Sequence, residues 1–148
     1  MKKLVYVAGL LLLVIPFSCE QSSNKIEFHK SHEASRLNSP FSDAVETDNL
    51  LFLTGQIGKN HTTGKLVEGG IREETKQCIE NIKAVLNHHN LGLDQVAKCT
   101  VILKDINEFA AFNEVYVQYF TKKPARTTFA ASGLAGNARI EIDVIAVK

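Results

Sequence analysis

The sequence has almost no net charge and few cysteines, and each shortage excludes a class of protein. Its 17 lysine and arginine residues are balanced by 16 aspartate and glutamate residues, which leaves a formal net charge of +1. The strong positive field that drives binding to nucleic acid or to anionic membranes is therefore missing. Three cysteines in 148 residues are too few for a disulfide framework. We expect no nucleic-acid partner.

Two of the cysteines, Cys78 and Cys99, fall on apolar-periodic positions of different predicted elements. We predict that both are buried free thiols without a catalytic role. A single bridge between them remains an alternative in an oxidising compartment, because the sequence does not give the distance between their Cα atoms.

The common catalytic and cofactor motifs are also absent from the sequence. It contains no glycine-rich phosphate loop, no His-Glu-x-x-His, no Cys-x-x-Cys and no Gly-x-Ser-x-Gly. His29 and His32 are spaced like metal ligands, but the sequence offers no evident third ligand, so surface histidines are expected. His88 and His89 complement the dipole at the end of a predicted helix. We predict neither a metal nor an organic cofactor.

The first residues form a segment of their own. Lys2 and Lys3 precede an apolar run, Leu4 to Phe17, which is the layout of a secretory signal. The run has about 14 residues, fewer than the roughly 20 that a membrane-spanning helix needs. Cys19 follows a small residue, as in a bacterial lipobox, where the cysteine is acylated.

We therefore divide the chain into a signal peptide (1–18), a tether from a lipidated Cys19 (19–25) and one globular domain (26–148). This division predicts an exported protein, held in the bacterial cell envelope on its periplasmic or surface face by a lipid anchor in the membrane. Plain secretion with cleavage near Ser18 and an uncleaved anchor remain alternatives.

Hydrophobic periodicity predicts the elements of the domain. Apolar residues recur at helical spacing from Ile71 to His89 and again from Ile106 to Phe120, while Arg139 to Val147 alternates as a strand does. The predicted order is β-β-β-α-β-α-β-β. We expect an α+β fold, in which a mixed sheet carries both helices on one face.

The other face of that sheet is predicted to carry Glu141, Asp143, Ile145 and Val147. This face is too apolar to be fully solvated, and a second copy of the chain would cover it.

Arg126 and Glu141 are the residues best suited to chemistry. We place them on neighbouring strands of a C-terminal hairpin, so that folding back brings them toward the same end of the sheet. An arginine grips a carboxylate with a planar fork of donors, and a glutamate can activate a water. From spacing alone a structural Arg-Glu ion pair is an equal alternative.

The residues from about Ile26 to Lys148 resemble the RidA family of imine and enamine deaminases, also called the YjgF or UK114 family. Several ordered motifs carry the resemblance. They are Pro40 to Ala44, Thr54 to Ile57, Asn81 to Leu86, Lys98 to Leu103 with Asp105, Phe109 to Asn113 with Tyr116 and Phe120, Pro124 to Thr127, Ile140 to Ile142, and Ile145 to Val147.

The resemblance implies a chorismate-mutase-like homotrimer with cofactor-free sites at its subunit interfaces. It implies that Arg126 binds the carboxylate of a small imine or enamine substrate and that Glu141 positions or activates the attacking water. Gly55 and the backbone of Thr128 would complete the pocket, with Asn113 as a weaker candidate. The products would be a 2-oxo acid and ammonia.

One residue departs from the family pattern. Phe41 stands where active members usually have a tyrosine, so the ligand pocket keeps the ring and loses the hydroxyl. This difference, together with the predicted export, leaves open a non-catalytic binding protein for small carboxylates such as 2-oxo acids. Ribonuclease activity, which has been attributed to family members, is disfavoured by the balanced charge.

Overall fold

The computed structural model describes residues 25–148. The predicted signal peptide, Cys19 and the tether up to residue 24 lie outside these residues. Nine strands and two helices follow one another along the described chain. They are β1 (Glu27–His29), β2 (Ala44–Glu46), β3 (Leu50–Leu53), β4 (Gln56–Ile57), β5 (Lys59–Asn60), β6 (Lys65–Leu66), α1 (Gly70–His88), β7 (Val96–Leu103), α2 (Phe109–Tyr119), β8 (Ala125–Ala130) and β9 (Ile140–Val147).

Seven of the strands form one mixed sheet in the order β1-β2-β3-β9-β7-β8, with β4 also paired to β9. Only the β7–β8 pair is parallel, and the other pairs of the sheet are antiparallel. The small strands β5 and β6 make a separate antiparallel pair. The predicted α+β class and the order of the longer elements are confirmed, whereas β4, β5 and β6 were not predicted.

The core lies between one face of the sheet and the two helices. Alternate residues of β9, Ile140, Ile142, Val144 and Ala146, are buried there, as the strand pattern predicted. The apolar stripe of α1 is buried against them through Cys78, Ile79, Ile82, Val85 and Leu86. Asp105 caps the turn before α2 by accepting a hydrogen bond from the Asn107 amide, which agrees with the predicted helix start.

The predicted C-terminal hairpin is wrong, because β8 and β9 are not neighbours. β7 lies between them: Cys99 of β7 pairs with Arg126 on one side and with Val144 on the other. The chain reaches β8 through α2, and such a crossover places β8 parallel to β7. β9 then returns on the opposite side of β7.

Arg126 and Glu141 therefore do not meet within one chain. Glu141 pairs with Ile102, three positions along β7 from the partner of Arg126, which corresponds to about 10 Å along the strand. Two strand spacings add a further ~9.5 Å across the sheet. The two side chains also leave opposite faces, since Arg126 contacts α2 and Glu141 alternates with the buried residues of β9.

The sheet face that carries Glu141 is largely apolar and open in the single chain. Phe52 is 38% exposed, Phe129 45% and Val147 44%. Within residues 25–148, no helix is both long and apolar enough to cross a membrane.

Cys78 and Cys99 are buried and unbridged, as predicted. Burial raises the pKa of both thiols, that of Cys99 to about 11. Because the thiolate is the reactive form, neither is suited to nucleophilic chemistry at neutral pH.

Candidate functional site

Glu141 lines a cavity of about 470 Å³ beside the paired strands β4 and β9. Its lining includes Arg36, Phe41, Gly55, Gln56 and His61. Three of the predicted site residues, Phe41, Gly55 and Glu141, thus share one cavity. Phe41 is 52% exposed, so its ring presents a face to a ligand.

Gly55 provides the room that Glu141 occupies. A Cβ atom at position 55 would lie 2.0 Å from Oε1 of Glu141 and 2.9 Å from its Cδ. Such distances do not occur between real atoms, so the carboxylate could not keep its position beside any larger residue. The glycine is needed here for close approach.

The environment of Glu141 raises the pKa of its carboxyl group. Partial burial is the larger cause, and the negative charge of Asp143 on the same sheet face adds to it. Both causes disfavour the charged form. A carboxyl group with a raised pKa holds a proton more readily, which suits a group that takes a proton from water and returns it.

Arg36 contributes a positive charge to the same cavity. Its Nη1 donates to Oε1 of Gln56 at 2.6 Å, and its Nη2 lies 2.8 Å from Oδ1 of the buried Asp43. The guanidinium is also 5.8 Å from the centre of the Phe41 ring. These contacts hold Arg36 in place at the cavity wall. Burial and the charge of Arg36 lower the pKa of His61.

Arg36, Gln56 and His61 line the cavity but were not predicted as site residues. Arg36 ends a short 3₁₀ helix, Ala34–Arg36, and His61 lies in a turn, and neither belongs to a motif of its own. Gln56 belongs to the stretch Thr54 to Ile57, which resembles the family. It is buried at the cavity because β4 pairs with β9.

Arg126 lies in a second cavity, about 590 Å³ in volume, beside α2. Its guanidinium sits over the Tyr116 ring at 4.5 Å and over the Phe112 ring at 5.2 Å from the ring centres. Its Nη1 donates to Oδ1 of Asn113 at 2.9 Å. Stacking on the aromatic rings and this hydrogen bond fix the orientation of the guanidinium plane. Asn113 therefore positions Arg126.

Arg126 makes no salt bridge with any carboxylate of residues 25–148. The ion-pair alternative with Glu141 does not hold within one chain. The guanidinium lines the cavity without a carboxylate partner among the described residues, so it can bind an anion there.

Thr128 follows two residues after Arg126 on the same face of β8. Its Oγ1 is buried and finds no hydrogen-bond partner among the described residues. The predicted site residues thus divide into two sets: Phe41, Gly55 and Glu141 line the first cavity, and Asn113 and Arg126 line the second, while Thr128 lies on the strand of Arg126 and lines neither.

Residues 32–148 match the family model described as endoribonuclease L-PSP, which is the model of the RidA and YjgF proteins. The chain belongs to the RidA family. The resemblance seen in the sequence motifs is therefore confirmed.

RidA relatives match over most of their own length. A RutC family protein of Pyrococcus horikoshii is 46% identical over 110 residues, 74% of this chain and 87% of the relative. The human protein named 2-iminobutanoate/2-iminopropanoate deaminase is 40% identical over 74% of this chain and 80% of its own.

The fold is that of the solved RidA structures. The yeast protein YEO7 superposes with a TM-score of 0.78 at 40% sequence identity, over 84% of this chain and 99% of its own.

Proposed function

We propose that the chain hydrolyses small reactive 2-imino and 2-enamino acids to 2-oxo acids and ammonia, without a cofactor, at sites formed between copies of the chain. The observation that carries the proposal is the division of the site into two incomplete sets. Arg126 has free donors and no carboxylate partner within residues 25–148, and Glu141 lines a separate cavity. The human relative's name gives the same substrate class.

Assembly supplies the missing half of each site. We infer a homotrimer in which the open apolar face, with Phe52, Phe129 and Val147, packs against neighbouring copies. Arg126 of one copy would then face the Glu141 cavity of the next. Arg126 and Glu141 lie on opposite faces of the sheet and are offset along β7, so one chain alone cannot bring them together. This separation supports a site shared between copies.

The reaction follows from the two roles. The Arg126 fork binds the substrate carboxylate through two hydrogen bonds and so directs the neighbouring C=N carbon toward a water at Glu141. Glu141 accepts a proton from the water as the water oxygen bonds to that carbon, and passes this proton to the imine nitrogen to give a carbinolamine. Glu141 then moves the hydroxyl proton of the carbinolamine to the same nitrogen as the C–N bond breaks, so that ammonia leaves and a 2-oxo acid remains.

The direct test is a deaminase assay on the full chain purified in detergent, with 2-imino acids generated by an L-amino acid oxidase. We expect faster 2-oxo acid release than in buffer, and its loss in Arg126→Ala. Arg72→Ala is the matched control, because Arg72 forms an exposed pair with Glu114 on the helices. Wild-type rates equal to buffer would contradict the proposal.

A non-catalytic binding protein for small carboxylates is the second candidate. Phe41 favours it, because the cavity wall carries no hydroxyl at that position. Calorimetric binding of a 2-oxo acid by a chain that releases none from imino acids would identify this function.

The family model's description names an endoribonuclease, and we do not extend that activity to this chain, whose net charge is +1.

We further propose that the protein is anchored in the bacterial cell envelope by acylated Cys19 after removal of residues 1–18. The apolar run and the lipobox-like Ser18-Cys19 support this location. Labelled fatty acid should be incorporated into the wild-type chain and not into Cys19→Ser. Equal labelling of both would contradict it.

A further inference from the structure

Four of the five histidines in the sequence gather at one corner of the fold. The ring centres of His29 and His89 are 4.7 Å apart, and those of His88 and His89 are 5.4 Å apart. His32 stacks on His88 at 4.9 Å. The sequence places these residues in two pairs some 60 positions apart, so the fold alone brings them together.

Glu46 joins this corner from the end of β2. One ligand atom each from His29, Glu46 and His89 lies within 4.8 Å of the others. His29 is the last residue of β1, diagonal to Glu46 on the same face, and His89 follows the last turn of α1. The three residues are half-buried.

The distances among these atoms leave room for a shared metal ion, although His29 is also within hydrogen-bonding distance of Glu46. Nε2 of His29 lies 3.1 Å from Oε2 of Glu46, and Nδ1 of His89 lies 3.9 Å from the same oxygen. The second distance is too long for a hydrogen bond. In a tetrahedral zinc site with bonds of about 2.1 Å, neighbouring ligand atoms are about 3.4 Å apart. Both distances to Glu46 lie within about 0.5 Å of that value, and all three ligand atoms lie within 4.8 Å of one another, so side-chain rotation can bring them onto one ion.

We propose that His29, Glu46 and His89 bind a Zn²⁺ ion. Two imidazole nitrogens and one carboxylate oxygen are an established zinc ligand set, which leaves a fourth position for water. The other charged neighbour of Glu46 does not occupy the same atom: Nζ of Lys148 contacts Oε1, and Oε2 faces the histidines. His88 packs edge-on against His89, and His32 stacks on His88.

The ion would join the edge of the sheet to the helix layer. β1 has three residues and pairs only with β2, at the end of the sheet. A zinc ion shared by β1, β2 and the end of α1 links the β1–β2 pair to a helix with which it shares no backbone ladder. Because the ion binds the folded chain, it raises the temperature of unfolding.

The test uses the full chain in detergent after removal of metals with a chelator. Titration with Zn²⁺ followed by calorimetry should give one ion per chain and a higher unfolding temperature. His29→Asn and His89→Asn should each weaken binding more than about tenfold. His61→Asn is the matched control, because His61 is the one histidine outside the corner, and it should bind zinc as the wild type does.

The variant Lys148→Met distinguishes zinc binding by His29, Glu46 and His89 from a purely structural role of these residues. Removing the competing ammonium frees the whole Glu46 carboxylate, so zinc affinity should rise. Circular dichroism of the metal-free variants shows whether each one folds. The proposal is overturned if the folded wild-type chain binds no zinc in this titration. It is equally overturned if folded His29→Asn and His89→Asn bind as tightly as the wild type, or if folded Lys148→Met binds no more tightly.

Discussion

Gly55 and Glu141 are in such close contact that a Cβ at position 55 would lie 2.0 Å from the carboxylate. Gly55→Ala must therefore displace the Glu141 side chain. We expect kcat/KM for imino-acid hydrolysis to fall by about 100-fold, since misplacing a catalytic group by ~1 Å has that effect. Steady-state kinetics measures this loss. Gly92→Ala is the control, because nothing lies within 4 Å of a Cβ there. Equal rates in Gly55→Ala and the wild type would contradict the account.

The fold was predictable from the sequence where periodicity extends over many residues. The apolar residues of α1 keep the helical spacing over 19 residues, and those of β9 alternate over 8 residues. Both elements were predicted close to their observed bounds. β4, β5 and β6 have two residues each, too few to show a period.

Strand adjacency could not be predicted from the order along the chain. β8 and β9 are consecutive, and a hairpin is the usual arrangement for consecutive strands. The parallel crossover through α2 instead places β7 between them. The family resemblance named Gly55 and Glu141 as parts of one pocket, and both line one cavity. Arg36 in that cavity and Glu46 beside His89 arise only from long-range contacts.

The pH dependence of the reaction should follow Glu141. Burial and Asp143 raise the pKa of this carboxyl group, and the reaction needs its charged form. Activity should therefore fall as the pH decreases through this raised pKa, at a higher pH than for an ordinary glutamate. Asp143→Asn removes one of the two causes, so the acid limb of kcat/KM should move to lower pH. A shift to higher pH, or none, would contradict the assignment.

The Asn113 side chain should affect substrate binding through Arg126. Its Oδ1 accepts the hydrogen bond that orients the guanidinium. Asn113→Ala removes about 1 kcal/mol of this interaction, which corresponds to a rise in KM of about fivefold with a smaller change in kcat. The control is Asn87→Ala, on an exposed position of α1. A pure kcat effect would show that Asn113 acts otherwise.

Phe41→Tyr should raise the rate of hydrolysis. The ring already lines the Glu141 cavity, and the added hydroxyl can bond to the ligand or to the water. A hydrogen bond of about 0.5 to 1.5 kcal/mol corresponds to a roughly 2- to 12-fold gain in kcat/KM. Phe109→Tyr, which adds a hydroxyl beside Arg126 and not in this cavity, should not reproduce the gain in kcat. A loss of activity in Phe41→Tyr would argue against this orientation of the ring.

The central claim is that Arg126 and Glu141 of different copies make one site, and complementation between inactive chains tests it most directly. Arg126→Ala and Glu141→Ala are unfolded together, refolded as a 1:1 mixture and assayed, with mixed oligomers verified by native mass spectrometry. A shared site is intact only where each copy supplies its remaining functional residue. The account therefore predicts roughly a quarter of the wild-type activity from two inactive parents. Mixed oligomers no more active than the parents would contradict it.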